Sequence, residues 1–297
     1  MLSICIPIYQ YEIYSLVKEL NKQCNLLSNP FEIICIDDNS DTIYKKKNIK
    51  IEEFNNVSYF QLESNIGRSK IRNLFLNKAN FNSLLFLDCD CSIPNSDFIQ
   101  NYLNNIQHDI SYGGRKHYES KPSNDAIVLR WKYGKEREDL SFNERKKSPF
   151  ISFRSNNFMI KKHVFSIVNF DETITKYGHE DTLFALQLKK EKININHIEN
   201  IVIHEGLENN SDYIEKTKIA VDNLNELIKS NKLELNEIKL FKTLKALENS
   251  KLIFFIKPFS FLLIEKSIKK LLEKNPKIFW LDIYKLFYLI QIRHRNV

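Results

Sequence analysis

Three acidic clusters, two arginines and one histidine have the types and surroundings to do chemistry. Leu84-Leu85-Phe86-Leu87 is followed directly by Asp88-Cys89-Asp90. Four large apolar residues in a row read as a buried strand, and the two carboxylates come where that strand ends. Side chains two apart in an extended chain point to one side, so Asp88 and Asp90 can face one small volume. Two hard oxygen donors placed this way suit a divalent cation, Mg2+ or Mn2+, carrying a phosphate ligand. Taken alone they suit as well a loop in which two aspartates are solvated or cap a helix. Glu180-Asp181 opens the apolar-striped segment 182–188, where exposed helix amides favour carboxylates. A carboxylate there can take a proton from an attacking hydroxyl or simply cap its helix. Asp37-Asp38 ends the apolar run 31–36 and reads equally as a turn. His204 closes the apolar run 201–203 and is open between a metal ligand and a hydrogen-bonded histidine. Arg68 and Arg72, four apart on one helix face, can contact phosphates or pair with acidic neighbours.

The elements that must position these residues alternate. Residues 2–8 (LSICIPI) predict a strand, with Pro7 tolerated near its end. Ile13, Leu16, Val17 and Leu20 then recur at helical spacing within 12–24. Strands are expected at 31–36, 57–62 and 84–87, with a helix at 68–79 before the last of these. This order predicts an α/β layer with a mostly parallel sheet, in which ligands bind at the carboxyl ends of the strands. Polar residues fall there repeatedly, at Asp37-Asp38, Ser64-Asn65 and Asp88 with Asp90, and the recurrence argues against a merely solvated loop. Neither G-x-G-x-x-G nor G-x-x-x-x-G-K-[ST] follows the first strand, so a bound phosphate has to be held by metal and basic side chains. Further on, helices are expected at 99–106 and 163–168 and strands at 109–112, 157–160, 193–195 and 201–203. Residues 116–148 are polar, long and without clear period, and read as a functional loop or lid. From about residue 212 helical segments run to the end.

Composition bounds the answer. A chain of 297 residues, 43% hydrophobic, can build one large domain or one domain with an appendage. The net charge of +7 favours anionic partners. Much of the excess lies late, in Lys266, Lys269, Lys270, Lys274, Lys277, Lys285, Arg293 and Arg295. Nucleic acid is disfavoured because the aromatics sit in apolar clusters and not in a basic groove. Five cysteines, Cys5, Cys24, Cys35, Cys89 and Cys91, make an odd number with two inside apolar runs, which points to a reducing, cytoplasmic setting. The N-terminus lacks the basic flank and apolar length of a signal peptide. The most apolar stretch, 252–264, is too short to span a membrane and is interrupted by Lys257-Pro258. Phe254, Phe255, Phe259, Phe261, Trp280 and Tyr284 lie among lysines. They fit either helix packing, against the rest of the chain or a second subunit, or a basic aromatic face on an anionic membrane. The second reading places the protein at the inner face of a membrane.

Taken in order, SICIPIY, ICIDDNS, SNIGRSKIRN, FLDCDCSIP, SNNFMIKKHVF, FDETITKYGHEDTLFALQL and IVIHEG resemble a family 2 glycosyltransferase of the GT-A fold. Single motifs of this kind are common, but the ordered set, over the first two-thirds of the chain, is specific. The resemblance implies a Rossmann-like mixed α/β sheet flanked by helices over 1–210. Its nucleotide-sugar half would span about 1–115 and its acceptor half about 116–210, before an all-helical region at 211–297. It also implies a nucleoside-diphosphate-sugar donor, a divalent metal (Mn2+ or Mg2+), direct displacement with inversion, and a glycan or lipid-linked acceptor of the surface-polysaccharide type. On the matching positions, Pro7, Ile8 and Tyr9 would line the nucleoside pocket with Asp38 near the base. Asn65, Arg68 and Arg72 would support the nucleotide. Asp88 would lie near ribose and metal, Asp90 would bind the metal, and His204 would reach the metal or diphosphate. Asn157 would face the donor sugar, and Asp181, with Glu180 beside it, would hold the acceptor hydroxyl. Cys89 and Cys91 depart from the family, which often has acidic or small residues around this aspartate.

Two other functions compete. A nucleotidyltransferase making a sugar nucleotide wants a glycine-rich, basic loop after the first strand, where this chain has Pro7-Ile8-Tyr9-Gln10. A non-catalytic nucleotide-sugar-binding module has no need of acidic residues at every one of these places.

Overall fold

The runs of Ile, Leu, Val and Cys that read as strands form a sheet buried on both faces, and their side chains alternate between two cores. In the computed structural model, which describes residues 1–234, 238–263 and 268–294, β1 is Leu2–Ile8, β2 Phe31–Asp37, β3 Val57–Gln61 and β4 Ser83–Leu87. Leu2, Ile4, Ile6 and Ile8 of β1, Ile33 and Cys35 of β2, and Leu85 and Leu87 of β4 face one core. Cys5, Ile34, Ile36, Leu84 and Phe86 face the other. This is the period of two that a pleated strand imposes. The first core is closed by the helices Tyr14–Asn25 and Phe98–Leu103. The second is closed by Arg68–Lys78, Lys162–Ile167 and Glu180–Lys190. Phe86 stacks on Phe158 at 4.9 Å between ring centroids, and truncating so buried a ring costs about 3–5 kcal/mol.

Three further elements complete the main sheet. With β5 at Cys91–Ser92, β6 at Ile110–Tyr112, β7 at Arg115–Lys116, β8 at Asn157–Lys161, β9 at Asn196–His197 and β10 at Val202–His204, the seven-stranded order is β3-β2-β1-β4-β8-β6-β9. β1 to β4 run parallel to one another, whereas β8 runs antiparallel to both β4 and β6. The sheet is therefore mixed, as the resemblance implies. A second sheet of three strands, β5-β10-β7, was not expected from the sequence. Its strands are two or three residues long, too short to show any period.

The chain divides into two compact units. One comprises Met1–Tyr118, Glu138–Thr175 and Glu180–Gly206, and the other Glu119–Arg137, Lys176–His179 and Leu207–Val297. The segment 116–148, read as a functional loop or lid, carries secondary structure of its own. It holds the helices Val128–Tyr133 and Phe142–Lys147, the latter opened by a Ser141–Glu144 capping box that is legible as S-x-x-E. Glu119–Arg137 groups with the C-terminal helices and not with the sheet, because Leu129 is buried in their core beside Tyr213, Ile214, Leu272 and Leu281.

That core also takes Tyr284, with Trp280 packed against it, so these two aromatics serve helix packing. Phe254 and Phe255, in the helix Ile253–Leu263, are instead 73% and 74% exposed. Lys266, Arg295 and the side chains of Phe259 and Phe261 lie outside the described residues. Among the described residues no helix is long and apolar enough to cross a membrane.

Candidate active site

Parallel pairing aligns the strand ends. Ile8 lies opposite Asp37, and Asp37 opposite Gln61. Leu87 lies opposite Asn157 in the antiparallel pair, and the Asp88 amide donates to the Asn156 carbonyl at 3.1 Å. The ends of β1 to β4 and the start of β8 thus share one edge, and the loops leaving it carry most of the residues singled out above.

The acidic pair at the end of β2 builds this edge. Asp37 accepts from the Ser40 amide at 2.6 Å and from the Tyr59 hydroxyl at 2.7 Å. Asp38 accepts from the amides of Ile66 at 2.7 Å and Gly67 at 3.0 Å, and its own amide donates to the Ile8 carbonyl at 2.8 Å. Burial pushes the Asp38 carboxyl up, against the two amides that hold it down. Gly67 has φ +87°, a conformation that suits glycine at this bend. Asp38 therefore shapes the turn that launches Arg68–Lys78, and Asn65 adds a bond to the Asp38 carbonyl at 3.2 Å.

From that helix a chain of polar contacts crosses the edge. Arg68 Nη1 stands 3.5 Å from Glu180 Oε1, and the Arg68 carbonyl accepts from Arg72 Nη1 at 3.3 Å. Arg72 Nη2 donates to Asp88 Oδ1 at 2.7 Å, and its guanidinium lies 5.5 Å from the centroid of the Phe170 ring. Asp181, in the first turn of Glu180–Lys190, accepts from the buried Ser155 hydroxyl at 2.7 Å.

The small sheet supplies the other side. β10 runs antiparallel to β5 with His204 opposite Cys91, and the Glu205 amide donates to the Asp90 carbonyl at 2.8 Å. His204 Nδ1 comes to 3.5 Å from Asp90 Oδ1. Burial acts to raise the Asp90 carboxyl, but His204, Arg68 and Arg115 outweigh it and hold it down to about 2. A Cβ on Gly206 would overlap Asp90 Oδ2, so only glycine leaves that carboxylate in place. Asp90 Oδ1 and His204 Nε2 are buried without a hydrogen bond. Asp90 Oδ1 faces the other ring nitrogen, Nδ1, in an ion pair, which leaves Nε2 over; a carboxylate beside an imidazole with a nitrogen to spare is a donor set that fits a divalent cation. Among the described residues, no three His, Cys, Asp or Glu side chains gather as a metal cluster.

The profile of the family described as Glycosyl transferase family 2 matches residues 3–166, more than half of the chain. This chain belongs to glycosyl transferase family 2. As a member it is a glycosyltransferase. No curated protein matches the chain. Among solved structures, the mannosyltransferase PcManGT from Pyrobaculum calidifontis in complex with GDP-Man and Mn2+ is 13% identical. It matches over 100% of this chain and 88% of that one with a TM-score of 0.58. S. aureus TarS 1-349 in complex with UDP-GlcNAc is 18% identical over 99% of this chain and 92% of that one, with a TM-score of 0.49. Against another TarS chain, the match covers 74% of this chain and 39% of that one at 18% identity and a TM-score of 0.46. The likeness to the mannosyltransferase is one of fold.

Several residues of this glycosyltransferase stand differently from expectation. Asn157, expected to face the donor sugar, is fully buried. Its amide donates to the carbonyls of Gly114 and Asn200, both at 2.8 Å, and its oxygen accepts from Tyr102 at 2.7 Å. Every polar atom is used inside the fold, so Asn157 holds strands together and has none to offer a sugar. Asp88, expected beside the metal, is held by Arg72. Ile8 packs its side chain into the core and presents only backbone, Pro7 is half-buried, and Tyr9 is exposed. Asp38 is committed to backbone amides. Asp90 with His204, and Glu180 and Asp181, are brought to the edge.

Sequence reasoning missed Ser155 and Gly206, although both sit in or beside the motifs SNNFM and IVIHEG. It also missed Arg115, His117, Glu138 and Asp139. Arg115 pairs with Glu138 at 2.5 Å, and His117 with Asp139 at 2.7 Å. Nothing in their spacing announces them.

Proposed function

We propose that this enzyme transfers a sugar, with inversion, from a nucleoside-diphosphate sugar to a hydroxyl of a glycan or lipid-linked acceptor in surface-polysaccharide assembly. The observation that carries the reading is the buried ion pair of Asp90 with His204 at the carboxyl edge of the sheet, in which His204 Nε2 is left without a hydrogen bond. These two residues would hold a divalent cation, Mn2+ or Mg2+. When bound, such a cation stabilises the charge that the leaving diphosphate gains. The likeness of fold to a mannosyltransferase solved with GDP-Man and Mn2+ supports this choice of donor and metal.

The protein's own residues divide the remaining work. Arg68, half-exposed at the start of its helix, is placed to favour the anionic nucleotide. Pro7 and Tyr9 offer the exposed end of β1 to the nucleoside. Asp181 takes the proton of the acceptor hydroxyl as it attacks from the face opposite the leaving group. Ser155 holds one oxygen of Asp181 and leaves the other for that hydroxyl. Glu180, paired with Arg68, orients the nucleotide-side arginine.

The test is a donor screen with purified protein and Mn2+, reading slow hydrolysis of nucleotide sugars. Release of a nucleoside diphosphate names the donor. Release of pyrophosphate from a nucleoside triphosphate and a sugar 1-phosphate in a parallel assay would favour a nucleotidyltransferase instead; donor binding without product would leave a binding module, and neither product nor binding an inert fold. Asp90→Ala is expected to remove turnover with the fold intact. Asp181→Asn is expected to keep donor binding and lose turnover.

The exposed Phe254 and Phe255, with Lys251 and Lys257 near them in sequence, favour peripheral contact with an anionic membrane on its inner face. Phe254→Ser with Phe255→Ser is then expected to abolish co-sedimentation with phosphatidylglycerol vesicles while leaving nucleotide-sugar hydrolysis unchanged.

A further inference from the structure

β10 pairs in parallel with β7, Val202 opposite Arg115 and Ile203 opposite Lys116. The next residue along each strand is a histidine. The rings of His117 and His204 meet edge to face, with centroids 5.2 Å apart and planes at 75°. The His117 side chain has no exposed surface. Asp139 grips it twice: Oδ2 accepts from the His117 amide at 3.0 Å, and Oδ1 stands 2.7 Å from Nδ1. A carboxylate only accepts, so Nδ1 carries the proton and the ring plane is fixed. The neighbouring Arg115–Glu138 pair is almost as buried.

We propose that His117, anchored by Asp139, is a positioning residue for His204, setting the rotation of the imidazole that would bind the cation. The inference rests on the reading of Asp90 and His204 as the metal site. A ligand imidazole free to turn about its side-chain bonds presents Nε2 only part of the time, and outer residues that fix such a ring commonly strengthen metal binding. If His117 merely filled space, an apolar residue would do so without burying a polar ring beside a carboxylate. The double grip by Asp139 serves to hold one ring orientation, and the ring so held rests against that of His204.

The experiment titrates Mn2+ alone into the full-length protein and follows free Mn2+ by electron paramagnetic resonance, with circular dichroism to report folding. His117→Ala is expected to weaken Mn2+ binding by roughly three- to tenfold, the usual worth of an aromatic contact. His117→Phe combined with Asp139→Asn keeps a ring without a buried unpaired carboxylate but loses the grip on Nδ1, and should weaken binding by a similar factor. A folded His117→Ala chain that binds Mn2+ like the parent overturns the proposal. Should that chain not fold, the double variant decides, and parental affinity there overturns it. A His204→Ala chain with parental Mn2+ affinity would bring down the metal site itself, an outcome distinct from failure of the positioning role.

Discussion

Arg72 donates to Asp88 at 2.7 Å, and this bond gives the two carboxylates of Asp88-Cys89-Asp90 different work. Asp88 neutralises a buried guanidinium, while Asp90 stands beside His204. Removing Arg72 strands a partly buried carboxylate. Arg72→Ala is expected to cost about 2–3 kcal/mol in urea unfolding. Arg72→Lys should recover less than half of that loss. A lysine cannot reproduce the planar fork that also bonds the Arg68 carbonyl and lies over Phe170.

Gly206 tests the placement of Asp90 without touching its chemistry. A methyl there displaces Asp90 Oδ2. Gly206→Ala should lower turnover by about 10²-fold, the usual consequence of moving a reacting group by an ångström, with little change in the circular dichroism spectrum. Full activity in that variant would show that Asp90 is not held where it is needed.

The Ser155 hydroxyl donates to Asp181 at 2.7 Å and fixes the direction in which that carboxylate points. With Asp181 as the proposed base, Ser155→Ala frees the carboxylate to turn and should lower kcat by about 10- to 100-fold with donor binding kept. Ser155→Thr, which keeps the hydroxyl, should retain most of the activity.

His197 gives a pH dependence of stability with a definite sign. Burial pushes its imidazole down to about 4, and the adjacent Arg145 guanidinium adds to the effect. Nε2 stands 3.1 Å from the Pro149 carbonyl and Nδ1 3.4 Å from Arg145 Nη1, an arrangement for a neutral ring protonated on Nε2. The unfolded chain takes a proton near pH 6.5, whereas the folded chain does so only near 4. The unfolded state thus binds more protons between these values. Stability is complete above pH 6.5 and falls as the pH drops toward 4, by up to about 3 kcal/mol. Urea midpoints measured from pH 7 to 4 should show this fall, and His197→Gln should flatten it.

Much of the sheet and of one half of the site was legible before any coordinates. LSICIPI, FEIICID and SLLFL read as strands because a sheet covered on both faces needs apolar side chains at nearly every position. The polar residues that follow them had to lie at the carboxyl edge once the strands ran parallel. Local order also placed Glu180 and Asp181 at a helix start and put Arg68 and Arg72 on one helix face.

What the tertiary structure decided is which of those residues meet. His204 reaches Asp90 through pairs between β5 and β10, strands too short to leave a period in the sequence. Asp38 reads like a ligand, yet two backbone amides claim its carboxylate. Asn157 sits in a motif that faces a sugar by resemblance, yet three partners from distant segments use up its amide. Residue types and spacing determined where polar groups would emerge from the sheet, because burial and strand period act locally. Whether each group was left for a ligand or consumed by the fold depended on partners far away in the chain, and hydrogen bonding between such partners is settled only when the chain packs.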